Sequence, residues 1–138
     1  MTDTELVAQA IEARERAYVP YSHFAVGAAL LCTDGTVYQG CNIENAAYTP
    51  SNCAERTAFF RAVFDGQRDF SAIAIVGGPE GQDISDLCAP CGVCRQVMME
   101  FCNPETFRIV LAATPNEPIS QTLAEILPLG FGPANLGK

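Results

Sequence analysis

Positive charge is scarce in this chain: 8 Lys and Arg stand against 16 Asp and Glu in 138 residues, a formal net charge of −8. Proteins that grip nucleic acid carry a basic footprint that displaces counterions from phosphates, so this balance disfavours a polyanionic ligand and suits an uncharged small molecule. Histidine is scarcer still. His23 is the only one, which excludes a histidine-rich metal site and leaves sulfur to carry any metal. Long apolar runs are missing too. The longest, Phe24 to Cys32, is far shorter than the roughly 18–20 residues a bilayer span needs. The first residues, Met1-Thr2-Asp3-Thr4-Glu5, are acidic where a secretory leader is basic. The expectation is a cytoplasmic protein with no membrane partner.

What is present is a core and an excess of thiols. Hydrophobic residues make up 49% and charged residues 17%, enough apolar material for one domain over residues 1–138. The seven cysteines are an odd number without a leader sequence, which points away from a disulfide framework and towards metal or reactive thiols.

Periodicity gives a coarse order of elements. Residues 4–17 read as an amphipathic helix with Leu6, Ala10, Ile11 and Ala17 on one face, and Thr2 and Glu5 have capping-box spacing at its start. Phe24–Leu31 and Val37–Ile43 read as strands joined at Asp34-Gly35, a hairpin signal. Cys53–Phe64 reads as a helix, with Ser51 and Asn52 as candidate caps and Asp65-Gly66 as its stop. Phe70–Val76 is a buried strand, Pro90 to about Phe101 a helix, Phe107–Ala112 a strand and Thr122–Leu127 a short helix. A fifth strand has a poor signal near Pro115–Ile119. The order α-β-β-α-β-α-β-α implies an α/β fold, one sheet with helices on both faces.

Two predicted helix starts carry the chemistry. Asn52-Cys53-Ala54-Glu55 opens one and Pro90-Cys91-Gly92-Val93-Cys94 the other, with Pro90 expected at the first helical position. Cys91 and Cys94 share a helix face. The positive end of each helix dipole favours thiolate over thiol. Three sulfur ligands leave a zinc ion one open position, the mark of a catalytic rather than a structural site. Glu55, two residues from Cys53, is poorly aimed as a fourth ligand but well placed to carry protons. Cys88 precedes Cys91 at the spacing of an iron–sulfur run, yet position 98, where that run needs another cysteine, is Met. Cys32, Cys41 and Cys102 read as packing residues, and His23 is assigned no role.

The pattern Cys-x-Glu followed by Pro-Cys-x-x-Cys resembles the signature of zinc-dependent deaminases. More of the chain is similar to the cytidine deaminase family: Pro20-Tyr21-Ser22-His23-Phe24-Ala25-Val26-Gly27-Ala28-Ala29-Leu30, Gly40-Cys41-Asn42-Ile43-Glu44-Asn45-Ala46, Pro90 through Val97, and Leu127-Pro128 with Phe131-Gly132-Pro133. That resemblance implies a three-layer α/β/α sandwich with a mixed sheet of about five strands. It implies hydrolytic deamination of cytidine and 2′-deoxycytidine to uridine and 2′-deoxyuridine, with release of ammonia, in pyrimidine salvage. It implies one Zn2+ per subunit on Cys53, Cys91 and Cys94, Glu55 as proton shuttle, and a homotetramer. It also implies that Phe24 packs against the pyrimidine, that Asn42 and Glu44 bind the ribose near its 3′-hydroxyl, and that backbone groups of Ala54 and Ala89 orient the base. Arg56 would temper the thiolate charge, and Tyr48 and Phe131 would reach a neighbouring subunit's pocket. Ala89 departs from the Ser common in such proteins. The rivals are a deaminase of another aminopyrimidine, such as an aminonucleoside antibiotic, a nucleic-acid deaminase, and a non-catalytic zinc-stabilised binding module.

Overall fold

In a computed structural model describing residues 1–138, the chain begins with helix α1, Asp3–Arg14. Thr2 caps it: the Glu5 amide donates to Thr2 Oγ1 at 3.1 Å and the Thr2 amide donates to Glu5 Oε2 at 2.9 Å, the reciprocal pairing of a capping box. The face it buries is Leu6, Val7, Ala10 and Ala13. Ile11 is only partly buried and Ala17 lies beyond the helix end, so the expected apolar face is corrected at both residues.

Strands β1 (Phe24–Cys32) and β2 (Val37–Cys41) form the expected hairpin. Gly35 sits at its tip with φ +92°, which glycine adopts without a Cβ clash. The second strand ends two residues before the expected Ile43. Beyond Cys41 the chain leaves the ladder, and Ile43 bridges Tyr18 on one side and Asn52 on the other. Helix α2 (Ala54–Phe64), strand β3 (Phe70–Pro79), helix α3 (Gly92–Phe101) and strand β4 (Arg108–Ala112) follow.

The fifth strand exists but is shifted: β5 is Pro118–Thr122, not Pro115–Ile119. It is an edge strand with an exposed Ile119-Ser120-Gln121 centre, so it lacks the apolar alternation by which a strand announces itself. Helix α4, Leu123–Ile126, then starts from a second capping box, Thr122 with Glu125.

The sheet runs β2-β1-β3-β4-β5, antiparallel except for the parallel β3–β4 pair. It is the mixed five-stranded sheet expected, with α1 on one face and α2 and α3 on the other. Successive side chains of a strand face opposite ways. Along β3, Ala72, Ala74 and Val76 turn towards α1, while Ile73 and Ile75 join Phe59, Met98 and Phe107 on the side of α2 and α3. The β1–β2 and β1–β3 pairings make β2 and β3 run in the same direction, with β1 reversed between them. The ends of β2 and β3 and the start of β1 therefore meet at one rim of the sheet, where Phe24 pairs with Pro79.

Candidate functional site

Helices α2 and α3 both start beyond that rim, and each is capped by a cysteine. Cys53 is the N-cap of α2 and Cys91 the N-cap of α3, both extended in backbone and neither making a side-chain capping bond. This corrects two expectations. Ser51 and Asn52 do not cap α2. Pro90 precedes the cap of α3 rather than occupying its first turn. In both cases the thiol takes the cap position, which frees its sulfur to face the other helix start.

The sulfurs of Cys53, Cys91 and Cys94 lie within 4.8 Å of one another, with Cys53 and Cys91 3.8 Å apart. Two sulfurs each ~2.3 Å from a tetrahedral zinc are separated by roughly 3.8 Å. The donor set fits zinc: three soft ligands at the spacing the ion requires, with a side open because Cys91 is exposed while Cys94 is buried. Proximity to the Cys94 sulfur, together with the Arg56 guanidinium, pushes the Cys53 thiol down to about 5. The same proximity, together with burial, pushes Cys94 up. Arg56 Nη2 donates to Cys53 Sγ at 3.2 Å. A zinc ion with three thiolates carries a formal charge of −1, and this guanidinium offsets it. Arg56 Nε is buried without a partner, so one donor of that group is unspent.

Glu55 is 4% exposed, and burial pushes its carboxyl up to about 7. A proton carrier works best with a pKa near the working pH. Ala54, the first residue of α2, is fully buried, and its amide lies where helices leave donors without an intrahelical partner. Ala89 is exposed, and neither its amide nor its carbonyl is engaged within the backbone.

Cys88 stays outside the thiol cluster. It packs on β3, where a Cβ at Gly77 would stand 2.7 Å from its sulfur, and burial pushes it up to about 11. The iron–sulfur alternative loses its first ligand. Of the expected packing cysteines, Cys32 is fully buried, whereas Cys41 and Cys102 are half-buried.

A second group of residues surrounds Phe24, which is 43% exposed at the start of β1. Asn42 Oδ1 accepts from the Val26 amide and Asn42 Nδ2 donates to the Phe24 carbonyl, both at 2.9 Å. Glu44 Oε1 accepts from the amides of Tyr21 and Ser22 at 3.0 and 3.1 Å, and Oε2 accepts from the Ser22 hydroxyl. That hydroxyl is the main reason the carboxyl lies below its ordinary range. The antiparallel bridge between Ile43 and Asn52 joins this group to the start of α2.

Tyr48 and Phe131 stand out from the chain, 71% and 57% exposed. Tyr48 has φ +63°, and its ring meets the Tyr21 ring edge-on at 6.0 Å. Phe131 is tied through its carbonyl to Gln96 of α3 at 2.8 Å.

No role for Gly40, Ser22 or Arg95 was legible in the sequence, although each lies in a segment quoted above. A Cβ on Gly40 would lie 2.3 Å from the Ala54 carbonyl oxygen, so this glycine lets the first turn of α2 rest on β2. Ser22 offers a weak signal, a serine two residues before an amide it can turn back to accept. Arg95 joins the Pro90 carbonyl at 2.9 Å to the Ile126 carbonyl, and no local pattern shows that.

Comparison with known proteins follows the same line. Residues 1–110 match the family described as the cytidine and deoxycytidylate deaminase zinc-binding region. A cytidine deaminase of Sporosarcina psychrophila is 52% identical over 132 residues, covering 96% of this chain and 93% of its own length. One from Halalkalibacterium halodurans is 50% identical over 126 residues, 91% of either chain. The 1.6 Å crystal structure of cytidine deaminase from Burkholderia pseudomallei superposes with a TM-score of 0.85 at 47% identity, covering 95% of this chain and all of that one. Blasticidin-S deaminase of Bacillus cereus is more distant, 31% identical over 132 residues, covering 94% of this chain and 91% of its own length.

Proposed function

The chain belongs to the cytidine and deoxycytidylate deaminase zinc-binding family, and on that footing we propose its reaction: hydrolytic deamination of cytidine and 2′-deoxycytidine to uridine and 2′-deoxyuridine, with release of ammonia, by residues 1–138 acting as one deaminase domain. The observation that carries the reading is a buried carboxyl, Glu55, whose burial raises it to about 7, two residues from one thiol of a three-thiol cluster.

Bound at Cys53, Cys91 and Cys94, zinc supplies a Lewis acid and a water acidic enough to attack near neutral pH. Glu55 takes the proton of the attacking water and gives it to N3 as the oxygen adds to C4. It then carries the second proton from that oxygen to the amine, the C4–N bond breaks, and ammonia leaves. Arg56, held against Cys53 Sγ, tempers the negative charge of the thiolates. The Ala54 amide and the Ala89 backbone have free hydrogen-bonding capacity with which to orient the base.

The ribose end follows from donor and acceptor counts. Asn42 Nδ2 spends one of its two N–H groups on Phe24 and keeps the other. A carboxylate offers about four acceptor sites; three on Glu44 are filled. Asn42 thus offers a donor and Glu44 an acceptor site, the pair a single hydroxyl needs, and the Phe24 ring beside them takes the face of the base. Among pyrimidine substrates this favours a nucleoside with its 3′-hydroxyl.

The assembly we infer is a homotetramer. Phe60 and Phe64 lie one turn apart on the outer face of α2, 49% and 90% exposed, a position that water alone does not favour. Tyr48 and Phe131 project where an adjoining copy would take them up. All seven cysteines are free, which suits the reducing cytoplasm, and no helix is long and apolar enough to cross a membrane.

The reaction is tested by the fall in ultraviolet absorbance when the protein meets cytidine, beside Glu55→Gln with zinc measured in both. Glu55→Gln is expected to keep its zinc and lose about 10²–10⁴-fold in turnover. A fully zinc-loaded wild type inert on both cytidine and 2′-deoxycytidine defeats the reading.

A further inference from the structure

We propose that Ser22 is a positioning residue for the sugar end of the substrate, its hydroxyl setting the distance between Phe24 at the base and Glu44 at the ribose. The assignment rests on the ribose reading given above.

Ser22 is the only side chain that reaches both. Its Oγ accepts from the Phe24 amide at 3.0 Å and donates to Glu44 Oε2. A hydroxyl has one proton and two lone pairs, so the proton given to Glu44 leaves an acceptor for Phe24 and the two bonds coexist. The backbone is arranged to allow it. His23, between them, has φ +56°, a left-handed conformation that non-glycine residues adopt sparingly, and it turns the Phe24 amide back on Ser22.

The two carboxylate oxygens of Glu44 are held differently. Oε1 takes two backbone amides from Tyr21 and Ser22, which no side-chain substitution removes. Oε2 takes only the Ser22 hydroxyl. Without Ser22 the carboxylate stays docked by one oxygen but can swing its other, the one with a vacant acceptor site. On the far side, Asn42 grips the Phe24 carbonyl and the Val26 amide and is untouched. Loss of the Ser22 hydroxyl therefore uncouples the acceptor from the donor of the hydroxyl-binding pair, and leaves the thiol cluster and Glu55 as they were.

The experiment compares cytidine with 3′-deoxycytidine for wild type, Ser22→Ala and Ser22→Thr, measuring kcat and KM separately, with zinc content and melting temperature taken on each. Wild type is expected to prefer cytidine by at least about tenfold in kcat/KM, because a site built to bind a hydroxyl rejects the analogue that lacks it. Ser22→Ala should raise KM for cytidine about tenfold with kcat within about twofold, the cost of weakening a hydrogen bond to a charged group. Its KM for 3′-deoxycytidine should not move, so the preference collapses, and Ser22→Thr, which restores the hydroxyl, should recover it. A zinc-loaded Ser22→Ala that keeps the wild-type preference, or that loses both substrates equally, overturns the assignment of Ser22 alone. A wild type indifferent to the 3′-hydroxyl overturns the ribose reading itself and this proposal with it. Should Ser22→Ala fail to fold, Ser22→Cys takes its place: an intermediate preference supports the proposal and a wild-type preference overturns it.

Discussion

Gly40→Ala should weaken zinc binding by this protein although Gly40 touches no metal ligand. A Cβ there would stand 2.3 Å from the Ala54 carbonyl oxygen and 2.6 Å from the Ala58 amide nitrogen, where ordinary contact begins at 3.4 Å. Both obstacles are backbone, so no side chain can swing aside, and the start of α2 has to retreat by roughly 1 Å to restore ordinary packing. Cys53 caps that helix, while Cys91 and Cys94 belong to α3 and stay behind. The 3.8 Å between Cys53 and Cys91 then changes by up to about 1 Å, against a tolerance of only ~0.2 Å in each metal–ligand distance. Zinc can bind only by driving the helix back against the new methyl group. Overpacking of this kind costs about 1–3 kcal/mol, and that energy opposes binding, which weakens zinc affinity by roughly 5- to 150-fold. Competition with a chromophoric zinc chelator reads this directly. Gly92→Ala is the control. Gly92 is the first residue of α3, beside Cys91, yet its added Cβ meets nothing within 4 Å, and its zinc affinity should stay within about twofold of wild type. Wild-type affinity in Gly40→Ala, or an equal loss in Gly92→Ala, would refute the reasoning.

Arg108 binds Asp3 through two parallel bonds of 2.9 Å, and its hydrogen bond is the main reason the Asp3 carboxyl lies below its ordinary range. The native state therefore binds that proton less readily than the unfolded chain does, so the pair's contribution is complete above the ordinary carboxylate range and is lost as pH falls through the depressed value. Because both groups are partly exposed, Arg108→Gln should cost only about 0.5–1 kcal/mol at neutral pH. Urea melts across pH should show that difference closing in acid; a difference that widens there would contradict the assignment. Phe64→Asp places a charge on the most exposed ring of α2 and, on the homotetramer proposed above, should leave the fold and zinc content intact while lowering the sedimenting mass. An unchanged sedimentation profile would remove that face from the assembly.

Features written in a few consecutive residues were legible without coordinates. The capping box of Thr2 and Glu5 formed as its spacing predicts, and the cysteine spacing located three residues whose sulfurs come within 4.8 Å of one another. Errors arose where a distant contact changed a local rule. Proline at the start of a helix ordinarily takes the first helical position, but here Cys91 holds the cap and displaces Pro90 to the residue before it. Strand β5 escaped the apolar pattern because an edge strand can be held by its ladder while its side chains face water. The end of β2 was overrun because Asn42 keeps only half of a ladder pairing: its amide donates to the Val26 carbonyl at 3.2 Å, but its side chain takes the Val26 amide while its own carbonyl accepts from Tyr18.

The position of the site is a consequence of strand direction. Strands β2 and β3 run the same way with β1 reversed between them, so α2 and α3, which follow them, begin at the same rim. That arrangement brings two positive helix ends together where thiolates are wanted. It also leaves the first residue of β1, Phe24, at that rim, and the segments on either side of it, Tyr21–Ser22 and Ala25–Val26, within reach of the residues that leave β2. Each of these segments is recognisable in the sequence by itself, but no local pattern says that β1 lies between β2 and β3. Were β1 an edge strand, the same three cysteines could still gather, but Phe24 would no longer start between the ends of β2 and β3. The order of the sheet is what sets Phe24, Asn42 and Glu44 at the rim where α2 and α3 begin.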